Sequence, residues 1–66
     1  MEPRYPTITV KIVGEDSNAY NLLAICKAAM KRNDLSREQI KEFVDDATRA
    51  DYSTLLTTIT QYFYVR

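Results

Sequence analysis

A chain of 66 residues, 45% of them apolar, has room for one small domain, and a chain this short buries only about 60% of the surface its unfolded form exposes. Nine Lys and Arg balance nine Asp and Glu, for a formal net charge of zero, so the basic excess that supplies most nucleic-acid affinity is absent. One Cys and no His exclude a disulfide framework within the chain and leave a zinc site without its usual ligands.

Setting Ala and Tyr aside, 18 Ile, Leu, Val, Met and Phe residues are left to build a core, which at this size rarely supplies more than roughly 3–5 kcal/mol. Idealised helix packing or a partner subunit must supply the rest. No apolar run approaches the ~20 residues of a membrane-spanning helix. Met1-Glu2-Pro3-Arg4-Tyr5-Pro6 lacks the basic-then-apolar layout of a signal peptide. These features predict a cytoplasmic protein with no membrane association, in which Cys26 stays reduced.

Residues 1–6 contain two prolines and read as an extended lead-in. In Thr7-Ile8-Thr9-Val10-Lys11-Ile12-Val13, six of seven residues are β-branched, with Ile8, Val10 and Ile12 on one face. That alternation predicts a strand over 7–13. Gly14, the only glycine, follows directly and suits a backbone conformation other residues resist. Asp16, Ser17 and Asn18 are all N-cap residues.

A first helix is expected over about 18–32, with Ala19, Leu22, Leu23, Cys26, Ala29 and Met30 three and four apart, Tyr20 and Ile25 widening the stripe, and Ala24, Ala28 and Ala29 allowing close backbone approach. Asn33-Asp34 breaks the pattern. Ser36 and Gln39 then form a capping box, and Leu35 and Ile40 stand at the positions of a hydrophobic staple. The second helix is expected over 37–48, with Ile40, Phe43, Val44 and Ala47 inward. Asp51 or Ser53 can cap a third helix over 53–62, where Tyr52, Leu55, Leu56, Ile59, Tyr62 and Phe63 recur at helical spacing. Threonines weaken its helix propensity, and Ile59, Gln61, Phe63 and Val65 also alternate as a strand would. The favoured reading is a helix to Tyr62 followed by an extended tail, Phe63 to Arg66.

The expected fold is therefore a single α+β domain over 1–66: one N-terminal strand, three helices and a short C-terminal extended segment. A lone strand leaves backbone N–H and C=O groups unpaired. The tail could pair with 7–13 in the same chain, two copies could pair across a two-fold axis, or another protein's sheet edge could complete the strand.

Candidate chemistry is sparse. Glu42, Asp45 and Asp46 form a carboxylate cluster, but a solvated helix face explains them more simply than a metal or acid–base site. Glu15 and Asp16 suit helix capping better than cation binding. Cys26 falls on the inner face of its helix with no His to activate it. Gly14 lacks the further glycines and Gly-Lys-Ser/Thr ending of a phosphate loop. Helices two and three invite a helix-turn-helix reading, yet the third has no Lys or Arg before Arg66. The basic residues gather instead at the corner between helices one and two, where Lys27, Lys31, Arg32 and Arg37, with Lys41 beyond them, are candidate contacts for an acidic partner or nucleic acid. Five tyrosines and no Trp add an interface-like excess, ending in Tyr62-Phe63-Tyr64.

Tyr5-Pro6, then Val13-Gly14-Glu15-Asp16 with Asn18-Ala19-Tyr20, then Asp51-Tyr52 with Leu55-Leu56, resembles the pattern of a group of small uncharacterised bacterial and phage proteins. Ser17 stands where Gly is common in that group, and Tyr62 or Phe63 where Trp is common. The resemblance implies one strand followed by helices, favours helix over 53–62, and implies no activity.

The expectation is a non-enzymatic protein-interaction module without cofactor or metal, self-associating through strand 7–13. Its interaction residues are Ile8, Val10 and Ile12 on the strand and Tyr62, Phe63 and Tyr64 on the tail. The alternative is a small nucleic-acid-associated regulator working through Lys27, Lys31, Arg32 and Arg37.

Overall fold

In the computed structural model, which describes residues 2–66, Thr9–Val10 (β1) and Tyr64–Val65 (β2) pair in parallel, Thr9 opposite Tyr64 and Val10 opposite Val65. Parallel neighbours need a crossover connection. Here it is three helices, Ala19–Arg32 (α1), Arg37–Ala47 (α2) and Tyr52–Tyr62 (α3). The fold is α+β, and the strand finds its partner in the tail of its own chain.

The regular strand is narrower than 7–13 because both of its flanks bend. The Ile8 N–H donates to the Tyr5 carbonyl at 3.0 Å and the Glu15 N–H to the Ile12 carbonyl at 3.2 Å, closing a turn on each side. Contact with the tail nonetheless runs further than the ladder. Tyr64 N–H donates to Ile8 and Arg66 N–H to Val10, while Ile12 and Val13 both donate to the Arg66 carbonyl. The lead-in is used as well. Arg4 and Tyr5 donate their N–H groups to the carbonyls of Gln61 and Tyr62 at 2.9 and 2.8 Å, satisfying acceptors that the end of α3 leaves open.

Each helix boundary has a local cause. Gly14 takes φ +86°, the left-handed region that glycine enters without steric penalty. Asn18 caps α1 by accepting from the Tyr20 N–H at 2.9 Å. At the other end of α1, Asp34 adopts φ 60°. Its N–H donates to Lys31 and that of Leu35 to Met30, both at 3.1 Å. That pair of bonds is a Schellman closure with Asp where glycine is usual. Both bonds of the Ser36–Gln39 capping box form, at 2.7 and 3.1 Å. Asp51, rather than Ser53, caps α3, accepting from the Thr54 N–H at 3.0 Å, and the helix starts at Tyr52. These hydrogen bonds hold the Asp51 carboxyl below its ordinary pKa.

The core lies where the helices meet the sheet. Ile8 and Val10 enter it from β1; Leu22, Cys26, Ala29 and Met30 from α1; Phe43 and Ala47 from α2; Leu55, Ile59 and Tyr62 from α3, with Phe63 just beyond. Phe43 is at the centre, edge-on to both Tyr62 and Phe63 at 5.2 Å between centroids. Three expectations are corrected. Tyr20 is 84% exposed rather than part of the inner stripe, because it sits in the first turn of α1, where the helix overhangs the core. Leu56 and Tyr52 are exposed, Leu56 one step of about 100° off the α3 stripe and Tyr52 at the first residue of the helix. Of the three alanines that would allow close backbone approach, Ala24 and Ala28 face solvent and only Ala29 is buried. Conversely, Thr58 is buried; its hydroxyl donates to the Thr54 carbonyl at 2.7 Å, which satisfies it without a partner from elsewhere.

Candidate functional site

The last turns of α1 and the body of α2 enclose a groove of about 580 Å³ lined by Lys27, Lys31, Arg37, Ile40, Lys41 and Val44. The four-residue connection 33–36 brings the two helices together, and helical spacing does the rest. Lys27 and Lys31 are one turn apart on α1, as are Arg37 and Lys41 on α2, so each pair lies along one side of its helix. Ile40 and Val44, half-buried and packed against the core, form the aliphatic floor. No acidic residue lines the groove. Among the described residues only Lys41 of the four cations is ion-paired, to Asp45 at 2.8 Å, and that bond keeps its ammonium protonated to higher pH than usual. Three of the four basic residues singled out from the sequence therefore converge. Arg32, the fourth, is exposed but lies outside the groove.

The opposite flank of α2 is acidic: Glu38, Glu42, Asp45 and Asp46 border a second depression with Lys41. Most of these carboxylates are engaged. Glu42 pairs with Arg4, Asp45 with Lys41, and Asp46 accepts from the Tyr62 hydroxyl at 2.5 Å. Arg4 also donates to the Tyr62 hydroxyl at 3.0 Å and lies over its ring at 4.6 Å. This network joins the lead-in, α2 and α3, a structural task. Burial, followed by the Asp46 hydrogen bond, raises the Tyr62 phenol well above its ordinary value. No group of three or more His, Cys, Asp or Glu among the described residues is arranged to hold a metal ion.

The strand and tail residues have other duties. Ile8 and Val10 are buried and Ile12 half-buried in the chain's own core, so their side chains do not face a partner. Tyr62 and Phe63 are core residues too, and of these three aromatics only Tyr64 is exposed, at 46%. Residues 8, 10 and 12 turn their backbone groups to the tail, which leaves Thr9 and Lys11 on the outer edge of β1. The shortage of pairing that favoured a second copy is thus met within the chain.

Cys26 is fully buried, and desolvation pushes its thiol up to about 12, the reverse of what a nucleophile needs. Asp16 accepts from the Asn18 N–H at 3.0 Å as part of the α1 entry turn. On α3, Thr54, Thr58 and Thr60 donate their hydroxyls within their own helix or its cap, so α3 offers a poor reading helix.

One feature escaped the sequence reading. Tyr20 and Tyr52 flank a cleft of about 280 Å³ floored by Leu23, Ala47 and Leu55, and the Tyr52 hydroxyl donates to the Ser17 carbonyl at 2.5 Å. Its only sequence signal is that both tyrosines fall in the first turn of a helix, where side chains overhang the core. No helix of the described residues is long and apolar enough to cross a membrane. Comparison with protein-family models finds no match, and the same holds for curated proteins and for solved structures.

Proposed function

We propose that this chain is a non-enzymatic binding module whose working surface is the groove between α1 and α2, and that it meets an acidic protein partner there. The observation that carries this reading is the convergence of Lys27, Lys31, Arg37 and Lys41 around an aliphatic floor in a chain with no net charge. The cations line this groove, and Glu38, Glu42, Asp45 and Asp46 line the adjoining depression, with Lys41 bordering both, so an acidic surface is attracted on one side and repelled on the other, which fixes its orientation. The same cations favour a second reading, contact with nucleic-acid phosphates. It is the weaker one because the acidic flank lies alongside and α3 has no basic residue before Arg66. Self-association through strand 7–13 is weaker still, since Ile8 and Val10 are buried in their own core and β1 is already paired along one edge.

Binding of fluorescent poly-L-glutamate, followed by anisotropy at low salt, tests the proposal. The chain should bind, lose at least ten-fold in affinity between 50 and 300 mM salt, and lose binding in the Lys27→Glu/Lys31→Glu variant. Both residues are exposed, so the variant should keep its fold. Equal binding by the variant would sink the proposal.

A further inference from the structure

We infer that the occupant of the basic groove is an acidic amphipathic helix of about two turns presented by another protein, an inference that rests on the groove being the binding surface. The groove has a repeated spacing on each of its parts. Lys27 and Lys31 mark one wall, Arg37 and Lys41 the other, and Ile40 and Val44 the floor between them. Each pair is four residues apart, a rise of about 6 Å. Two cationic rows flanking an aliphatic strip are the negative image of a helix with aliphatic residues at i and i+4 and Asp or Glu on both sides of them. Helix-in-groove recognition uses that pattern. The floor supplies apolar burial and the walls supply orientation, because an acidic helix rotated about its axis would set carboxylates on Ile40 and Val44 and leave them unpaired.

The other occupants match only part of this surface. A nucleic-acid strand meets the cations but finds no aromatic ring on which to stack a base and no amide or hydroxyl side chain to read one among the lining residues. A polyanion running past the groove would also meet Glu38 and Asp45. An extended acidic peptide fits the walls without the pairing of floor contacts at one-turn spacing. A second copy could offer its own α2 flank, but there Glu42 and Asp46 are engaged across the fold by Arg4 and Tyr62.

The test titrates the full chain with four probes. They are a helix-forming peptide with Leu at i and i+4 flanked by Glu, a scrambled peptide of the same composition, poly-L-glutamate, and a single-stranded oligonucleotide. The helix-forming peptide should bind at least ten-fold tighter than the other three and gain helical circular dichroism on binding. Lys27→Glu/Lys31→Glu should abolish binding of every probe. Val44→Ser, checked for a native circular dichroism spectrum, should weaken binding of the helix-forming peptide at least ten-fold more than it weakens binding of poly-L-glutamate. Equal affinity for the helical and scrambled peptides would overturn the helical occupant and leave the anion-binding groove standing. Tighter binding of the oligonucleotide would overturn it in favour of nucleic acid. A charge-sensitive dimer in sedimentation without any probe would assign the groove to a second copy. No binding of any probe at low salt would overturn both the inference and the reading beneath it.

Discussion

The Tyr62 hydroxyl donates to the Asp46 carboxylate at 2.5 Å from a ring that the core buries almost completely. The same oxygen accepts from Arg4 at 3.0 Å, so one phenol joins the N-terminal arm, α2 and α3. Hydrogen bonds to charged groups contribute about 1.5–3 kcal/mol, and Tyr62→Phe removes two at once while keeping the ring. The variant should lose about 2 kcal/mol in urea unfolding, a large share of the stability of so small a core. A loss below about 0.5 kcal/mol would mean the network is solvated and idle.

The same burial sets an alkaline limit. Tyr62 and Cys26 both hold their protons more tightly folded than unfolded, Cys26 with its pKa pushed from 9.0 to about 12. A raised folded-state pKa contributes stability that is complete below the unfolded value and is lost as pH rises through the folded one. The urea midpoint should therefore be flat between pH 6 and 8 and fall from about pH 9 upward. Cys26 should react with a thiol reagent at pH 8 only at the rate of global opening, and rapidly in urea; fast labelling of the native chain would contradict its burial.

Pairing of the chain ends makes a third prediction. Deleting Tyr64-Val65-Arg66 removes the β1–β2 ladder and four further hydrogen bonds to residues 8–13, and those four alone, at about 0.5–1.5 kcal/mol each, amount to roughly 2–6 kcal/mol. The shortened chain should be largely unfolded or should self-associate through its bared edge. The full chain should sediment as a monomer at tens of micromolar. A native-like melt from the shortened chain would remove the tail from the fold's accounting.

Asp34 occupies the left-handed position that closes α1. A non-glycine residue there costs about 1–2 kcal/mol, partly offset in Asp by local hydrogen bonding, whereas glycine is the usual occupant. Asp34→Gly should stabilise the chain by about 0.5 kcal/mol, read as a rise in thermal midpoint. A fall would show that the Asp34 side chain contributes more than its backbone costs.

Local signals made the helices legible. The Ser36–Gln39 box and the turn at Gly14 announce themselves within a few residues, the caps narrow to Asp16, Ser17 or Asn18 and to Asp51 or Ser53, and the end of α3 at Tyr62 stands against an alternation that would start a strand at Ile59. The partner of the strand was not legible. Whether residues 7–13 meet the tail, a second copy or another protein depends on how three helices fold back, a contact across more than fifty residues that no local pattern encodes. The basic groove was half legible. Charge spacing marks Lys27, Lys31, Arg37 and Lys41, but the joining of α1 and α2 leaves out Arg32 and sets Ile40 and Val44 as the floor. The Tyr20–Tyr52 cleft was hidden because apolar spacing in a first helical turn looks like core.

The central claim is that the groove between α1 and α2 is where an acidic partner docks. Amide chemical shifts of the labelled chain, followed while the acidic helix-forming peptide is added, test it most directly. The account predicts that the perturbed residues cluster on Lys27, Lys31, Arg37, Ile40, Lys41 and Val44, with Thr9, Lys11, Tyr20 and Tyr52 unmoved. Shifts confined to the outer edge of β1 or to the Tyr20–Tyr52 cleft, or none at saturating peptide and low salt, would contradict it.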